Sequence, residues 1–493
     1  RVASALFKPG MPMPTRTRSY DLLIRNGTVI DGTGGPSRQD DIAIVGDKIA
    51  GVGRLHGASA ERVIDAEGRV VAPGFVDAHT HDDRAVLTAA GMTPKVSQGV
   101  TSVVTGNCGV SLAPLAGVDP VPPLNLIGSR DDFFGDFFGY FEALADVGSV
   151  VNVAAQVGHT ALRVLAMDNL DRPATDREIA VMAEALDESM KAGCIGLSTG
   201  LAYPPAQAAP TAEVVALVER LAAFNGIHTT HMRNEKDRVV DSVRETIDIG
   251  KRAAVPVVIS HHKCSGRANW GQTRETLPLI ANAQHPVALD VYPYTASSTV
   301  LLEAHVQTAE RVLVTWSESE PDQAGRDLDD ISAEWGCSRS EAVARLLPAG
   351  AIYFQMDEAD LERIIRTSDA MIGSDGLPHD AVPHPRLWGT FPRVLGRFVR
   401  ERGWLSLEDA VHRMTGKTAA VFGFAKRGVL AEGNFADLAI FDPDTVIDSA
   451  TYEAPTTPSA GIETVVVNGE VVWADGAATG LRPGSRLVRE PRA

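Results

Sequence analysis

The segment GFVDAHTHDD sets His79 and His81 two residues apart, with Asp77 and Asp82 flanking them. Residues two apart on an extended strand face the same way, so both imidazoles are able to meet one cation. Imidazole is a good zinc ligand, and so is a thiolate. Cys108 ends the apolar run VTSVVTGNCG, His228 and His231 lie at the end of GIHTTH, and His261 and His262 close VPVVISHH. Neighbouring strand residues face opposite ways, so one of His261 and His262 points to a shared centre; periodicity leaves open which. Asp375 follows AMI in AMIGSDGLPHD, where a carboxylate is able to ligate metal or exchange a proton with water. Singly, each group has an ordinary alternative: a surface histidine, a buried thiol, an Asp-Gly turn. Together they form a series in which metal-ligand types follow successive apolar runs. Cys194, Cys264 and Cys337 lack that context and read as structural or, for Cys264, as lying just behind the ligands.

Scattered groups need a frame that gathers them. From about residue 74 to 425, β-branched runs such as VTSVVTG, SVVNVAAQVG, VPVVISHH and HPVALDVYP alternate with amphipathic stretches. Such alternation implies a parallel sheet, closed as a barrel or open and doubly wound. In a barrel, catalytic side chains converge at the C-terminal strand ends, which is where the candidates fall. No GxGxxG follows the first strand, which removes the commonest dinucleotide reading. In DREIAVMAEALDESMKAG, Ile179, Met182, Ala183, Leu186 and Met190 share one helical face, and Gly193 and Gly226 stand where C-terminal caps belong. Residues 325 to 350 read as helical, within an insertion near 300–350.

Both chain ends are rich in short strands. Residues 21–73 carry hairpin-like turns at Asn26-Gly27, Gly46-Asp47 and Glu67-Gly68, and residues 426–485 carry another at Asn468-Gly469. Each end alone buries little, so the two are expected to fold together as one small β module. Residues 1–20 read as a leader or disordered tail without the apolar core of a secretory signal, and 486–493 read as a tail. The 46 basic and 63 acidic residues give a net charge of −17, which argues against nucleic acid as the main partner. Four cysteines without close pairs do not make a disulfide framework. No apolar run reaches the roughly 20 residues that span a bilayer, so a soluble cytoplasmic protein is expected.

The segments GFVDAHTHDD, VTSVVTGNCGVSLAP, GLSTGLAYPP, THMRNE, ISHHKCSG, LDVYPYTASST, AIYFQMDE and MIGSDGLPHDAVPHPRLWGTFPRVLGRF stand in this order between residues 21 and 475. With them the chain resembles the D-aminoacylase (N-acyl-D-amino-acid deacylase) family of the amidohydrolase superfamily. The resemblance implies an α/β fold: a distorted (β/α)8 TIM-like barrel at 74–425, beside a small β-sandwich formed from both chain ends. It implies one tight zinc on Cys108, His231 and His261, thereby choosing His261 over His262, and a weaker second metal position at His79 and His81. Asp375 matches the catalytic aspartate. Lys263, Tyr294, Ser298 and Arg386 match the residues around a substrate carboxylate, where Arg386 would offer a bidentate grip and Lys263 a point charge. Many superfamily members bridge two metals through a carboxylated strand lysine; the corresponding GLSTGL has none, and the cysteine takes over that neighbourhood.

The implied activity is zinc-dependent hydrolysis of N-acyl-D-amino acids by metal-activated water, with Asp375 as general base and then general acid. The partner is then a small-molecule N-acyl amino acid, with no nucleic acid and no membrane. The alternatives are a cyclic-amide hydrolase of dihydroorotase or hydantoinase type, a nucleobase or nucleoside deaminase, and a zinc-stabilised binding protein without turnover.

Overall fold

The computed structural model describes residues 19–88, 90–367 and 370–490. The expected leader lies outside the described residues as far as residue 18, whereas Ser19 and Tyr20 already belong to the strand Ser19–Val29. Residues 491–493 of the expected tail also lie outside them.

The parallel strands run in ladder order. Phe75–Asp77 pairs with Val100–Thr105, which pairs with Asn152–Ala155. Val157–Gly158 continues that third position past Gln156 and pairs with Gly196–Gly200. Ile227–His231, Val257–Ile259, Val287–Val291 and Ala370–Ile372 follow in turn. The Ala78 amide then donates to the Ile372 carbonyl at 3.2 Å, so the last strand meets the first and the barrel closes. Val100–Thr105 is buried at every position, as a parallel strand covered on both faces must be.

Outside the barrel, Asp176–Ala192 starts on a Thr175/Glu178 capping box and stops at Gly193, whose φ of 114° is left-handed. It buries Met182, Leu186 and Met190, with Ile179 and Ala183 packed against the same core. The cap expected at Gly226 is supplied one residue earlier by Asn225 at φ 52°. Asparagine tolerates that conformation better than most residues. Leu487, from the segment expected as a tail, is buried among Val76, Val104, Ile227 and Met371. Arg486 and Arg489 tie that segment to the carbonyls of Ala192 (2.6 Å) and Asn225 (2.7 Å).

Both chain ends build a nine-stranded mixed sheet. Its seam is the antiparallel pairing of Val70–Pro73 with Leu438–Phe441, and its core holds Leu22, Ile24, Ile42, Val71, Leu438 and Ile440. Asn468 (φ 47°) and Gly469 (φ 85°) make the expected hairpin. Asn26-Gly27 does not: it is a bulge inside the single strand Ser19–Val29. Within residues 300–350, Leu328–Trp335 and Arg339–Leu346 are helical, and they pack on a three-stranded antiparallel sheet. One of its strands, Ala296–Val300, carries Ser298. Among the described residues no helix is long and apolar enough to cross a membrane.

Candidate active site

His79, His81, Cys108, His231, His261 and Asp375 meet at the C-terminal end of the barrel, all buried. Cys108 Sγ lies 3.3 Å from Nε2 of His79 and 3.3 Å from Nε2 of His261. Two donor groups share that sulfur: Cys108, His231 and His261, and His79, His81, Cys108 and Asp375. Within each group the ligand atoms all lie within 4.8 Å of one another. Thiolate and imidazole at this spacing have the donor chemistry of zinc, and the buried Nδ1 of His231 has no hydrogen-bond partner, leaving a lone pair for a cation. Burial opposes ionisation of the Cys108 thiol, but His79 and His261 overcome it and hold the thiol well below its ordinary value. Burial likewise opposes the charge on Asp375; Arg386, His81, His261 and His79 outweigh it, so the carboxylate stands ionised.

The backbone is bent to aim these groups. Cys108 (φ 53°), His261 (φ 35°) and Asp375 (φ 49°) all adopt the left-handed conformation that non-glycine residues avoid. Three such residues in one cluster store about 1–3 kcal/mol each, a cost that folds concentrate at functional sites. A Cβ at Gly200 would lie 2.1 Å from the Cys108 carbonyl, so only glycine lets the fourth strand pass the cysteine turn.

Behind the histidines, the buried Lys95 ammonium binds Asp77 (2.8 Å), Thr80 (2.9 Å), Ser374 (2.7 Å) and Asp82 (3.2 Å). It thereby joins the strand end carrying His79 and His81 to the turn carrying Asp375. Asp77 completes the link by accepting the Ser374 amide at 2.8 Å. Lys95→Met would leave two buried carboxylates without their cation, which should destabilise the fold by about 3–5 kcal/mol. Urea unfolding measures this; a variant of parental stability would show that the cluster carries no such weight.

Arg386, fully buried, lies with Nη1 2.9 Å from Asp375 Oδ2 and donates Nη2 to the Ser298 carbonyl at 3.1 Å. Its Nε and Nη1 have no aligned hydrogen-bond acceptor, so this ion pair leaves donors unused. Lys263 Nζ binds Glu235 at 2.8 Å. The Ser298 hydroxyl turns to the Ala351 carbonyl at 3.4 Å. Tyr294 is not brought to this group: its hydroxyl faces the Pro385 carbonyl at 3.5 Å, and its ring stands edge-on to His384. The place between the cations belongs to Tyr292, whose ring centre lies 4.6 Å from Arg386 Cζ and 5.7 Å from Lys263 Nζ. The strand ends at Val291, and a tight turn closed by the Tyr294 amide on the Tyr292 carbonyl (3.0 Å) sends the two tyrosines apart.

The remaining candidates are occupied elsewhere. His262 turns to the Thr276 hydroxyl at 2.8 Å and His228 to Thr199 at 3.2 Å; burial lowers them to about 4 and about 3. Cys194 sits in the core, and burial pushes the Cys264 thiol up to about 12. Sequence reasoning missed Tyr292, Lys95 and Glu235. The last lies four residues after His231, within the quoted THMRNE, and that spacing was the available signal.

The amidohydrolase family pattern matches residues 62–262 and 271–473. A D-aminoacylase of Alcaligenes xylosoxydans xylosoxydans is 52% identical over 476 residues, covering 96% of this chain and 98% of the relative. A solved D-aminoacylase with a binuclear metal centre, described by one-metal activation and second-metal attenuation, superposes with TM-score 0.94 at 51% identity, covering 95% of this chain and 100% of that one. The N-acyl-D-glutamate deacylase of Bordetella bronchiseptica, solved with zinc and a phosphonate mimic of the tetrahedral intermediate, gives TM-score 0.91 at 46% identity, with 95% and 100% coverage.

Proposed function

This chain belongs to the D-aminoacylase branch of the amidohydrolase family, and from that membership we propose that it hydrolyses N-acyl-D-amino acids to a carboxylate and a free D-amino acid. The observation that carries the reading is the shared sulfur of Cys108, with two imidazoles completing one donor group and the Asp375 carboxylate standing in the other. Zinc held by Cys108, His231 and His261 would supply the Lewis acidity that polarises an amide carbonyl and brings the ionisation of water towards neutral pH. Asp375 accepts the proton of the attacking water and returns it to the departing nitrogen, without which an amide anion would have to leave. Arg386 and Lys263 bind the substrate carboxylate beside Tyr292 and the Ser298 carbonyl, and the unused Arg386 donors favour this role. An ionised group buried against them replaces water contacts with charge-assisted hydrogen bonds.

Asp375 belongs to the second donor group with His79 and His81 as well as to the proton transfer. Filling that group competes with its use as a base, which is in keeping with the second-metal attenuation described for the solved D-aminoacylase. The four cysteines are all unpaired thiols, which favours a reducing, cytoplasmic setting.

Two measurements test the reading. Incubation with N-acetyl-D-amino acids and with hydantoins or dihydroorotate should release free amino acid from the first and open no ring in the second; ring opening alone would overturn it. Elemental analysis after dialysis should find zinc retained by the parent at about one per chain and mostly lost from Cys108→Ala. Full retention in that variant would refute the ligand assignment.

A further inference from the structure

Glu235 is buried in the loop after the strand Ile227–His231, facing both histidines of the Cys108, His231 and His261 group. Its Oε2 lies 3.5 Å from His231 Nε2, and its Oε1 lies 3.1 Å from His261 Nδ1 and 2.8 Å from Lys263 Nζ. His261 turns its opposite nitrogen to the donor centre, with Nε2 3.3 Å from Cys108 Sγ, and the opposite nitrogen of His231, Nδ1, is buried without a hydrogen-bond partner. Each imidazole thus has one nitrogen beside a single carboxylate, which leaves the other for the metal. We propose that Glu235 is the positioning residue of this centre: it fixes the tautomer and orientation of both histidines and ties them to the cation Lys263.

A histidine gives a metal its lone pair only when its proton sits on the other nitrogen. For His261 that proton must be on Nδ1, which Lys263 also approaches at 2.8 Å. An ammonium there would donate to Nδ1 and force the proton to Nε2, the wrong side. The Glu235 carboxylate opposes this: its Oε1 accepts from Lys263 at 2.8 Å and lies 3.1 Å from His261 Nδ1, where its negative charge favours a proton, while its second oxygen faces His231. The loop is built to hold it: Asn234 Oδ1 accepts the amides of Lys236 (2.8 Å) and Arg238 (3.1 Å), and the Glu235 carbonyl accepts the Ser265 amide at 2.7 Å. An amide in place of the carboxylate offers one acceptor and one donor, so it serves one imidazole at most.

The inference rests on reading Cys108, His231 and His261 as the zinc donors, and its test separates the two. Zinc affinity is measured by competition with a chromophoric chelator on folded, full-length protein: parent, Glu235→Gln and Cys108→Ala. Glu235→Gln should bind zinc about 10- to 100-fold more weakly. Its cobalt-substituted form should keep the thiolate charge-transfer band while the ligand-field bands shift. A merely structural role would lower the melting temperature and leave the affinity of the folded protein unchanged. Should Glu235→Gln fold poorly, Glu235→Asp gives the same comparison, because the shorter side chain withdraws its oxygens from both imidazoles while keeping the charge. Parental zinc affinity in the folded Glu235 variant, with zinc lost from Cys108→Ala, overturns this proposal alone. Parental affinity in Cys108→Ala overturns the donor assignment beneath it.

Discussion

Asp375→Asn should keep its tight zinc and lose about 10²- to 10⁴-fold in kcat, the usual contribution of a positioned proton-transfer group. Zinc retention is expected because Cys108, His231 and His261 form a donor group without Asp375. The loss is expected because an amide of the same size neither takes a proton from water near neutral pH nor returns one to nitrogen. The variant should also tolerate added zinc differently, since the group of His79, His81, Cys108 and Asp375 loses a carboxylate. Zinc content and turnover are measured on one preparation. A folded variant with parental zinc and more than about a tenth of parental turnover would rule out this role.

For Arg386→Lys, the expected loss in kcat/KM is roughly 30- to 1000-fold, equivalent to about 2–4 kcal/mol of transition-state binding. The arginine is fully buried, over the Tyr292 ring, with one nitrogen on the Ser298 carbonyl and another beside Asp375. Lysine keeps the charge but replaces the planar fork with one point donor. The penalty should shrink for a substrate whose carboxylate is converted to an amide, leaving only the part owed to the Asp375 contact. Equal penalties for both substrates would assign Arg386 to the fold rather than to carboxylate binding.

Where local geometry decides, the sequence was readable. His79 and His81 meet at one centre as their two-residue spacing implied, although the strand itself ends at Asp77, and Asp176–Ala192 ends at Gly193 because capping chemistry is local. The gathering of Cys108, His231 and His261 depends on barrel closure, so the resemblance, not spacing, chose His261 over His262. Alternation stops applying there: the strand ends at Ile259 and His261 turns to φ 35°. The same limit hid Tyr292, because a three-residue turn separates it from Tyr294. Lys95 resembles an ordinary helix lysine until Ser374, 279 residues away, closes over it. Asn26-Gly27 carries a strong hairpin signature, yet pairing on both sides of Ser19–Val29 absorbs it as a bulge.

The most direct test of the account uses zinc-loaded protein with matched N-acetyl-D- and N-acetyl-L-amino acids bearing apolar, acidic and basic side chains. Free amino acid and acetate should appear in equal amounts from D substrates and not from their L partners. Release should stop when a chelator strips the metal and return when zinc is restored. Release that is indifferent to chirality or persists in metal-free protein, or no release from any D substrate, would contradict zinc-dependent D-amino-acid deacylation.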